Sequence, residues 1–224
     1  MRRREEREYN ILIYGYQGEK MKIWISRHGQ TNLNRGHLMQ GRTDEPLNET
    51  GRRQARAARR AVEESLGEVP VFDAVYASPL DRAIETACIL SGRPREEITI
   101  DSRITETDFG RYERRPYWAL GPWMGLYWSC ADCLPCPPTV EPLQSMRRRS
   151  ASFLRDLEQA GEACGYDNVL VTCHGGITRT LIGYMENAPR GVVWRPRMKN
   201  CEIRVFESRG ANRRFLRRIL PATD

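Results

Sequence analysis

The sequence predicts an α/β fold of three layers, in which helices cover both faces of a mostly parallel central sheet and an aromatic-rich cap is inserted. Three short apolar runs rich in β-forming residues, at 22–26, 74–77 and 168–173, are each followed by a segment with helical patterning. In open sheets of this kind, ligands bind at the carboxyl ends of the strands. We therefore expect the binding site just after these three runs.

The composition indicates one folded domain. A chain of 224 residues can bury a sizeable core. No apolar stretch approaches the roughly 20 residues that cross a bilayer, and no sustained apolar segment follows the basic start of the chain. The seven cysteines, an odd number, favour reduced thiols. We expect a cytoplasmic protein with no membrane partner.

The boundaries of that domain follow from the first strand. Residues 1–20 precede it and are expected to be an N-terminal extension outside the core, so that residues 21–224 form the domain. An insertion at about 111–142 is expected to form the cap.

The first strand leads directly into a reactive pair. His28 is one of three histidines in the chain, and it stands beside Arg27 just after residues 22–26. A histidine at a strand exit can act as nucleophile, general base or phosphate ligand. The neighbouring guanidinium indicates an anionic substrate. The third histidine, His37, lies in a loop and is expected at the surface or the pocket rim.

An arginine-rich helix comes next. Apolar residues recur there at helical spacing, at positions 55, 58, 62 and 66, so the arginines between them are expected on a solvated outer face. The net charge of +7 then favours anionic substrates in a general way. No recognised nucleic-acid module is present, so no specific nucleic-acid partner is expected.

The second strand leads into a predicted helix start at Ser78-Pro79, where the serine hydroxyl would cap free amides. Arg82 falls in the first turn, near the helix end that favours anions. A β-like run at 98–100 is followed by Glu106, a carboxylate just outside a strand.

The last third of the chain repeats the alternation. A helix is predicted at 143–163, followed by the strand 168–173, which ends at His174 and Gly175. A further helix is predicted from residue 177. Two final strands are expected at 200–206 and 214–220, paired with each other.

In this order, these residues resemble the histidine phosphatase superfamily, in the branch of cofactor-dependent phosphoglycerate mutases, fructose-bisphosphatase domains, α-ribazole phosphatases and broad-specificity phosphatases. The matching blocks are 27–31 with Asn34, 40–51, 78–87, Glu106 with 109–110, and 174–176. The resemblance implies catalytic roles for five residues: His28, Glu106, Arg27, Arg82 and His174. It implies that four more line the phosphate pocket: Asn34, Gln40, Gly41 and Gly175.

The chemistry of these side chains fits that resemblance. A phosphomonoester dianion repels a nucleophile, so the site must neutralise charge while it fixes an in-line attack. Arg27 and Arg82 can donate to the phosphoryl oxygens, and a neutral His28 can attack phosphorus. Glu106 can protonate the leaving alkoxide and later activate water. This mechanism needs no metal and no cofactor.

The insertion departs most from the family. It contains Trp118, Trp123 and Trp128, which either form a cap that recognises the leaving group or pack on one another. Where small phosphatases of this branch usually carry Gly-Glu-Ser, this chain has Val-Glu-Pro around Glu141. Three cysteines also lie in the insertion, at 130, 133 and 136, but no histidine is near to complete a zinc site, so no metal is expected.

Three functions remain open on these grounds. The first is a phosphatase that acts on a small phosphomonoester through a phosphohistidine at His28. The second is a phosphoglycerate mutase-type phosphoryl transfer, and the third is a noncatalytic phospholigand-binding protein. An aromatic cap would suit α-ribazole phosphate, but sugar phosphates, nucleotides and phosphopeptides also fit.

Overall fold

A six-stranded mixed sheet forms the centre of the molecule. The computed structural model describes residues 20–129, 131, 134–193, 195, 197–210 and 212–221. The strands are β1 (Met21–Arg27), β2 (Ala74–Ala77), β3 (Thr99–Ile100), β4 (Asn168–Cys173), β5 (Ile203–Arg209) and β6 (Asn212–Ile219). Their spatial order is β3-β2-β4-β1-β5-β6, in which the first four are parallel and the last two are antiparallel additions. The predicted α/β fold with a mostly parallel sheet is confirmed.

Helices cover both faces of this sheet. In the described ranges they are α1 (Asn32–Arg35), α2 (Glu49–Leu66), α3 (Asp81–Ser91), α4 (Pro122–Ser129), α5 (Leu143–Cys164) and α6 (Ile177–Met185). Successive side chains of a strand point to opposite faces. In β1, Ile23 and Ile25 therefore pack with α5 and α6, whereas Trp24 packs with α2 and α3. These two apolar cores give the three predicted layers.

The helix after β2 begins later than predicted. Helix α3 starts at Asp81, and its N-cap residue Leu80 makes no side-chain capping bond. The Ser78 hydroxyl accepts a hydrogen bond from the Leu80 amide at 3.4 Å, outside the helix, and also bonds to His174. The predicted capping role of Ser78 is therefore wrong. Arg82 does lie in the first turn, as predicted.

The arginines of α2 are not all on a solvated face. Arg52 forms an ion pair with Glu85 of α3 at 2.6 Å, and Arg59 donates to the Leu90 carbonyl at 2.8 Å. These two side chains attach α2 to α3.

Strand β5 begins later than predicted, at Ile203, because the chain turns at residues 200–202, where Cys201 has a φ of +54°.

The aromatic insertion builds a small core of its own. Its buried members and their partners are Met39, Phe109, Tyr112, Met124, Tyr127 and Val140. Trp118 is 86% exposed and Trp123 is 43% exposed, while the side chain of Trp128 lies outside the described part of the structure. The segment thus packs on itself and on the loop that carries Met39. A cap over the phosphate pocket remains a prediction.

Two further expectations are only partly covered by the described residues. Residues 1–19 of the expected extension and the cysteines at 130 and 133 lie outside them. Within the described ranges, no helix is long and apolar enough to span a membrane. The same ranges contain no group of three histidines, cysteines or acidic residues placed to hold a metal ion.

Candidate active site

The two predicted histidines meet at the carboxyl edge of the sheet. Strands β1 and β4 are parallel neighbours, so the residues that follow them, His28 and His174, lie side by side with ring centroids 5.1 Å apart. Strand β2 flanks β4 and delivers Ser78 and Arg82 to the same edge. The sheet therefore brings together residues that are up to about 150 positions apart in the chain.

The hydrogen bonds of His28 define its tautomer. Its Nδ1 atom lies 2.7 Å from the Gly29 carbonyl oxygen, which can only accept a hydrogen bond. Nδ1 therefore carries the hydrogen, and Nε2 has a free lone pair. Burial, followed by the positive charges of Arg82 and Arg27, lowers the pKa of His28 well below its usual range. The ring is neutral near physiological pH, and the Nε2 lone pair is available to an electrophile.

His174 has the opposite tautomer. Its Nδ1 accepts a hydrogen bond from Arg82 Nε at 3.2 Å, since a guanidinium can only donate. Nε2 then carries the hydrogen and donates to the Ser78 hydroxyl at 2.7 Å. Burial and the neighbouring cations also hold the pKa of His174 well below its usual range. Both ring nitrogens are thus engaged with protein groups, so His174 here orients Arg82; its predicted donation to phosphate stays a prediction.

Arg82 is fully buried and shapes the neighbouring loop. Besides its bond to His174, it donates to the carbonyls of Thr43 at 2.8 Å and Gly41 at 2.7 Å. These bonds use three of its five N–H groups. Burial lowers the pKa of Arg82 to about 10, and Glu106 is the largest of the charges that oppose this shift.

Arg27 Nε and Gln40 Nε2 are buried donors that lack a partner in the described part of the chain. The rest of each side chain is held firmly. Arg27 Nη1 donates to the Met198 carbonyl at 2.9 Å, and Gln40 Oε1 accepts from Asn34 Nδ2 at 3.1 Å and from the Thr31 hydroxyl. An unsatisfied buried donor costs about 1–3 kcal/mol, so such groups mark functional sites. An oxyanion would satisfy both.

Gly41 takes a conformation that suits only glycine. Its φ is +55°, and a Cβ atom there would collide with the Glu113 carboxylate. Glu113 accepts hydrogen bonds from the amides of Arg42 at 2.8 Å and Thr43 at 2.7 Å. The loop is therefore held between Arg82 on one side and Glu113 on the other.

Glu106 is buried beside the start of α6, the helix that follows His174. Its Oε2 atom accepts from the Gly176 amide at 2.9 Å, and Oε1 accepts from the Thr107 amide at 2.8 Å. A side chain at Gly176 would collide with this carboxylate, whereas Gly175 lies against the Arg27 guanidinium. The fold thus brings Glu106 to the edge that holds Arg27 and Arg82, as the sequence predicts.

Several residues to which the sequence assigned no role in the site support it. Asn200 donates to the His28 carbonyl at 2.9 Å, and Thr86 accepts from the Gly29 amide at 3.1 Å. Ser78 bonds His174, and Glu113 holds the Gly41 loop. His37 is exposed, in agreement with its predicted place at the surface or rim.

The fold and the site define an α/β protein in which two buried neutral histidines and two arginines meet at the carboxyl edge of the sheet. Residues 23–219 match the model of the histidine phosphatase superfamily (branch 1), and the chain belongs to that family. The predicted resemblance is confirmed, and with it the class of phosphomonoester hydrolases.

Relatives and solved structures agree with this assignment. The chain is 31% identical to glucosyl-3-phosphoglycerate phosphatase of Mycolicibacterium vanbaalenii, over 75% of each chain. It is 29% identical to adenosylcobalamin/alpha-ribazole phosphatase of Salmonella typhimurium, over 80% of this chain and 86% of the relative. The crystal structure of alpha-ribazole phosphatase from Shigella flexneri superposes with a TM-score of 0.74 at 26% identity, covering 90% of this chain and 96% of that chain.

Proposed function

We propose that this protein hydrolyses a small phosphomonoester through a phosphohistidine on His28. The observation that carries the proposal is the bond from His28 Nδ1 to the Gly29 carbonyl, because it leaves Nε2 as a neutral nucleophile between two arginines. Arg27, Arg82 and Gln40 bind the phosphoryl oxygens, and Asn34, Gly41 and Gly175 shape the pocket.

The reaction has two balanced steps. His28 Nε2 forms a bond to phosphorus while the bond from phosphorus to the alcohol oxygen breaks, and protonated Glu106 gives its proton to that oxygen. Water then attacks phosphorus, Glu106 takes the proton from the water, and the bond from Nε2 to phosphorus breaks. Phosphate leaves, and His28 returns to its neutral form.

The relatives support hydrolysis, but they do not define the alcohol that the substrate releases. One is named for glucosyl-3-phosphoglycerate and another for adenosylcobalamin and α-ribazole. We therefore propose only the class of a small phosphorylated metabolite. Phosphoglycerate mutase-type transfer is the alternative, and the experiment below separates the two.

The test compares His28→Asn with a matched control, His37→Asn. His37 is exposed at a φ of +53°, which asparagine tolerates. We expect His28→Asn to lose the acid-labile phosphoenzyme and at least about a thousandfold in phosphate release over a metabolite panel. The control should keep both.

The same assay identifies the alternatives. Transfer of labelled phosphate to a phosphoglycerate, with little release to water, would indicate the mutase. Unchanged turnover in His28→Asn would contradict the mechanism. Activity should persist in chelator, and vanadate should inhibit.

A further inference from the structure

A group of arginines lies beside the phosphoryl pocket, outside the residues assigned above. Arg179 is in the first turn of α6, three residues after Gly176, whose amide binds Glu106. Its backbone carbonyl accepts a hydrogen bond from the Val193 amide at 2.9 Å. This bond attaches the segment after α6 to the helix.

The same segment then passes the catalytic arginine. The Met198 carbonyl accepts a hydrogen bond from Arg27 Nη1, and the Asn200 side-chain amide donates to the His28 carbonyl. Arg197 is exposed and directly precedes Met198. These contacts place the backbone at Arg197 next to Arg27, and the backbone of Arg179 beside the start of the same segment.

The electrostatics around Arg179 are strongly positive. Burial, together with the charges of Arg197, Arg27 and Arg195, lowers the pKa of Arg179 to about 10. The main opposing charge is Glu106, whose carboxylate is already bonded to Gly176 and Thr107. Gathering like charges is unfavourable, and an anion bound among them relieves that cost.

One residue of the aromatic insertion lies near the same charges. The Tyr117 amide donates to the His37 carbonyl at 3.1 Å, three residues before Gln40. Burial raises the pKa of its hydroxyl, which also senses the charges of Arg27, Glu106 and Arg197. Tyr117 thus offers an uncharged donor at the mouth of the site.

We propose that Arg179 and Arg197 form a second oxyanion subsite, which binds a carboxylate or phosphate on the leaving group of the substrate. This inference rests on the proposed function, because the leaving group is defined by the phosphoryl pocket. The subsite selects phosphomonoesters whose leaving group carries a carboxylate or a second phosphate over those whose leaving group is uncharged. Guanidinium groups suit this task because they pair with oxyanions through two parallel hydrogen bonds.

The test measures binding, so that it does not depend on turnover. Three ligands share a three-carbon skeleton: glycerol 3-phosphate, 3-phosphoglycerate and glycerol 1,3-bisphosphate. They differ at the far end, which is neutral, a carboxylate or a phosphate. Calorimetry with His28→Asn as the parent should show at least one acidic ligand binding about tenfold more tightly than the neutral one, the effect of one charge-assisted contact.

Single variants in that parent then assign the preference. Arg179→Gln and Arg197→Gln should each bring the ratio of acidic to neutral affinity towards one, and Arg179→Lys should restore part of it. Arg60→Gln is the matched control, because Arg60 is exposed on α2. Its ratio should equal that of the parent.

Three results would overturn the subsite. The first is no preference for either acidic ligand in the parent, and the second is an unchanged preference in both glutamine variants. The third is an equal loss of affinity for the neutral and acidic ligands, because it signals a structural role. Arg197 is exposed, so its variant is expected to fold even if that of Arg179 does not. Failure of the proposed function is seen separately, as absence of turnover in the wild-type protein.

Discussion

Two histidines of the same site have different roles because their backbone and side-chain partners differ. A carbonyl beside His28 Nδ1 can only accept, and a guanidinium beside His174 Nδ1 can only donate. The first arrangement leaves a lone pair on Nε2, as the proposed nucleophile requires, and in the second the ring supports Arg82. Residue type alone does not distinguish these roles.

The buried histidines also predict how stability depends on pH. Both have a pKa well below 6.5 in the folded protein, so below pH 6.5 the unfolded chain binds protons that the folded protein does not. The free energy of unfolding should therefore fall with decreasing pH, by up to about 1.4 kcal/mol per unit for each histidine. Above pH 6.5 both states are neutral, and this contribution vanishes.

Urea unfolding between pH 5 and pH 7 measures this effect. His28→Asn removes one of the two groups, so its stability should fall less steeply below pH 6.5 than that of the wild-type protein. His37→Asn should keep the wild-type slope, since His37 is exposed. Identical slopes in wild type and His28→Asn would contradict the neutral buried histidine.

At the scale of elements, the loop that carries Glu106 is held from outside the site. Arg149 of α5 donates to the carbonyls of Arg103, at 2.7 Å, and Thr105, while Arg42 donates to the Glu106 carbonyl at 3.2 Å. Glu141 connects the two arginines, with contacts of 2.8 Å to Arg149 and 3.3 Å to Arg42. Burial would raise the pKa of Glu141, but the hydrogen bonds and charge of Arg149, with Ser145 and Arg42, together outweigh burial and lower the pKa.

Glu141→Gln should weaken this support and so misplace the proton donor. For an alkyl phosphate such as glycerol 3-phosphate, whose leaving group needs a proton, kcat/KM should fall about tenfold. For p-nitrophenyl phosphate, kcat/KM should change less than about twofold, because nitrophenolate leaves unprotonated and kcat/KM does not include the later hydrolysis of the phosphoenzyme. Steady-state kinetics on both substrates, with wild type and Glu141→Gln, measures the two effects.

The control for this prediction is Glu64→Gln, on the exposed face of α2. The Glu64→Gln variant should leave kcat/KM unchanged for both substrates. An equal fall for both substrates in Glu141→Gln would show that Glu141 only stabilises the fold and does not position Glu106.

Local patterns predicted the elements well because burial imposes a periodicity that the sequence records. The strand before His28 and the helix at 143–163 were identified in this way, and the structure has them at Met21–Arg27 and Leu143–Cys164. Periodicity cannot identify residues that contact the site from distant parts of the chain. Ser78 looked like a helix cap because its bond to His174, 96 residues away, leaves no local signal. The same holds for Asn200, which binds His28 across 172 residues.

At the scale of the molecule, the first strand occupies the middle of the sheet. Strand β1 pairs with β4 on one side and with β5 on the other, although both come more than 140 residues later. The site is therefore assembled only when the two ends of the domain meet. Family motifs predicted this meeting, whereas the spacing of apolar residues did not.

This position predicts what residues 1–20 contribute. Both edges of β1 are already paired, so its hydrogen-bond ladder is complete without residues 1–20. The contact that deletion removes among described residues is the exposed Lys20–Glu207 ion pair, worth at most about 1 kcal/mol. A chain that begins at Met21 should keep its activity, with a Tm within about 4 °C of the full-length protein. Deletion through Ser26 is the contrasting variant and should abolish cooperative unfolding, because it removes the central strand. Loss of folding or of phosphatase activity on removal of residues 1–20 alone would show that the extension belongs to the domain.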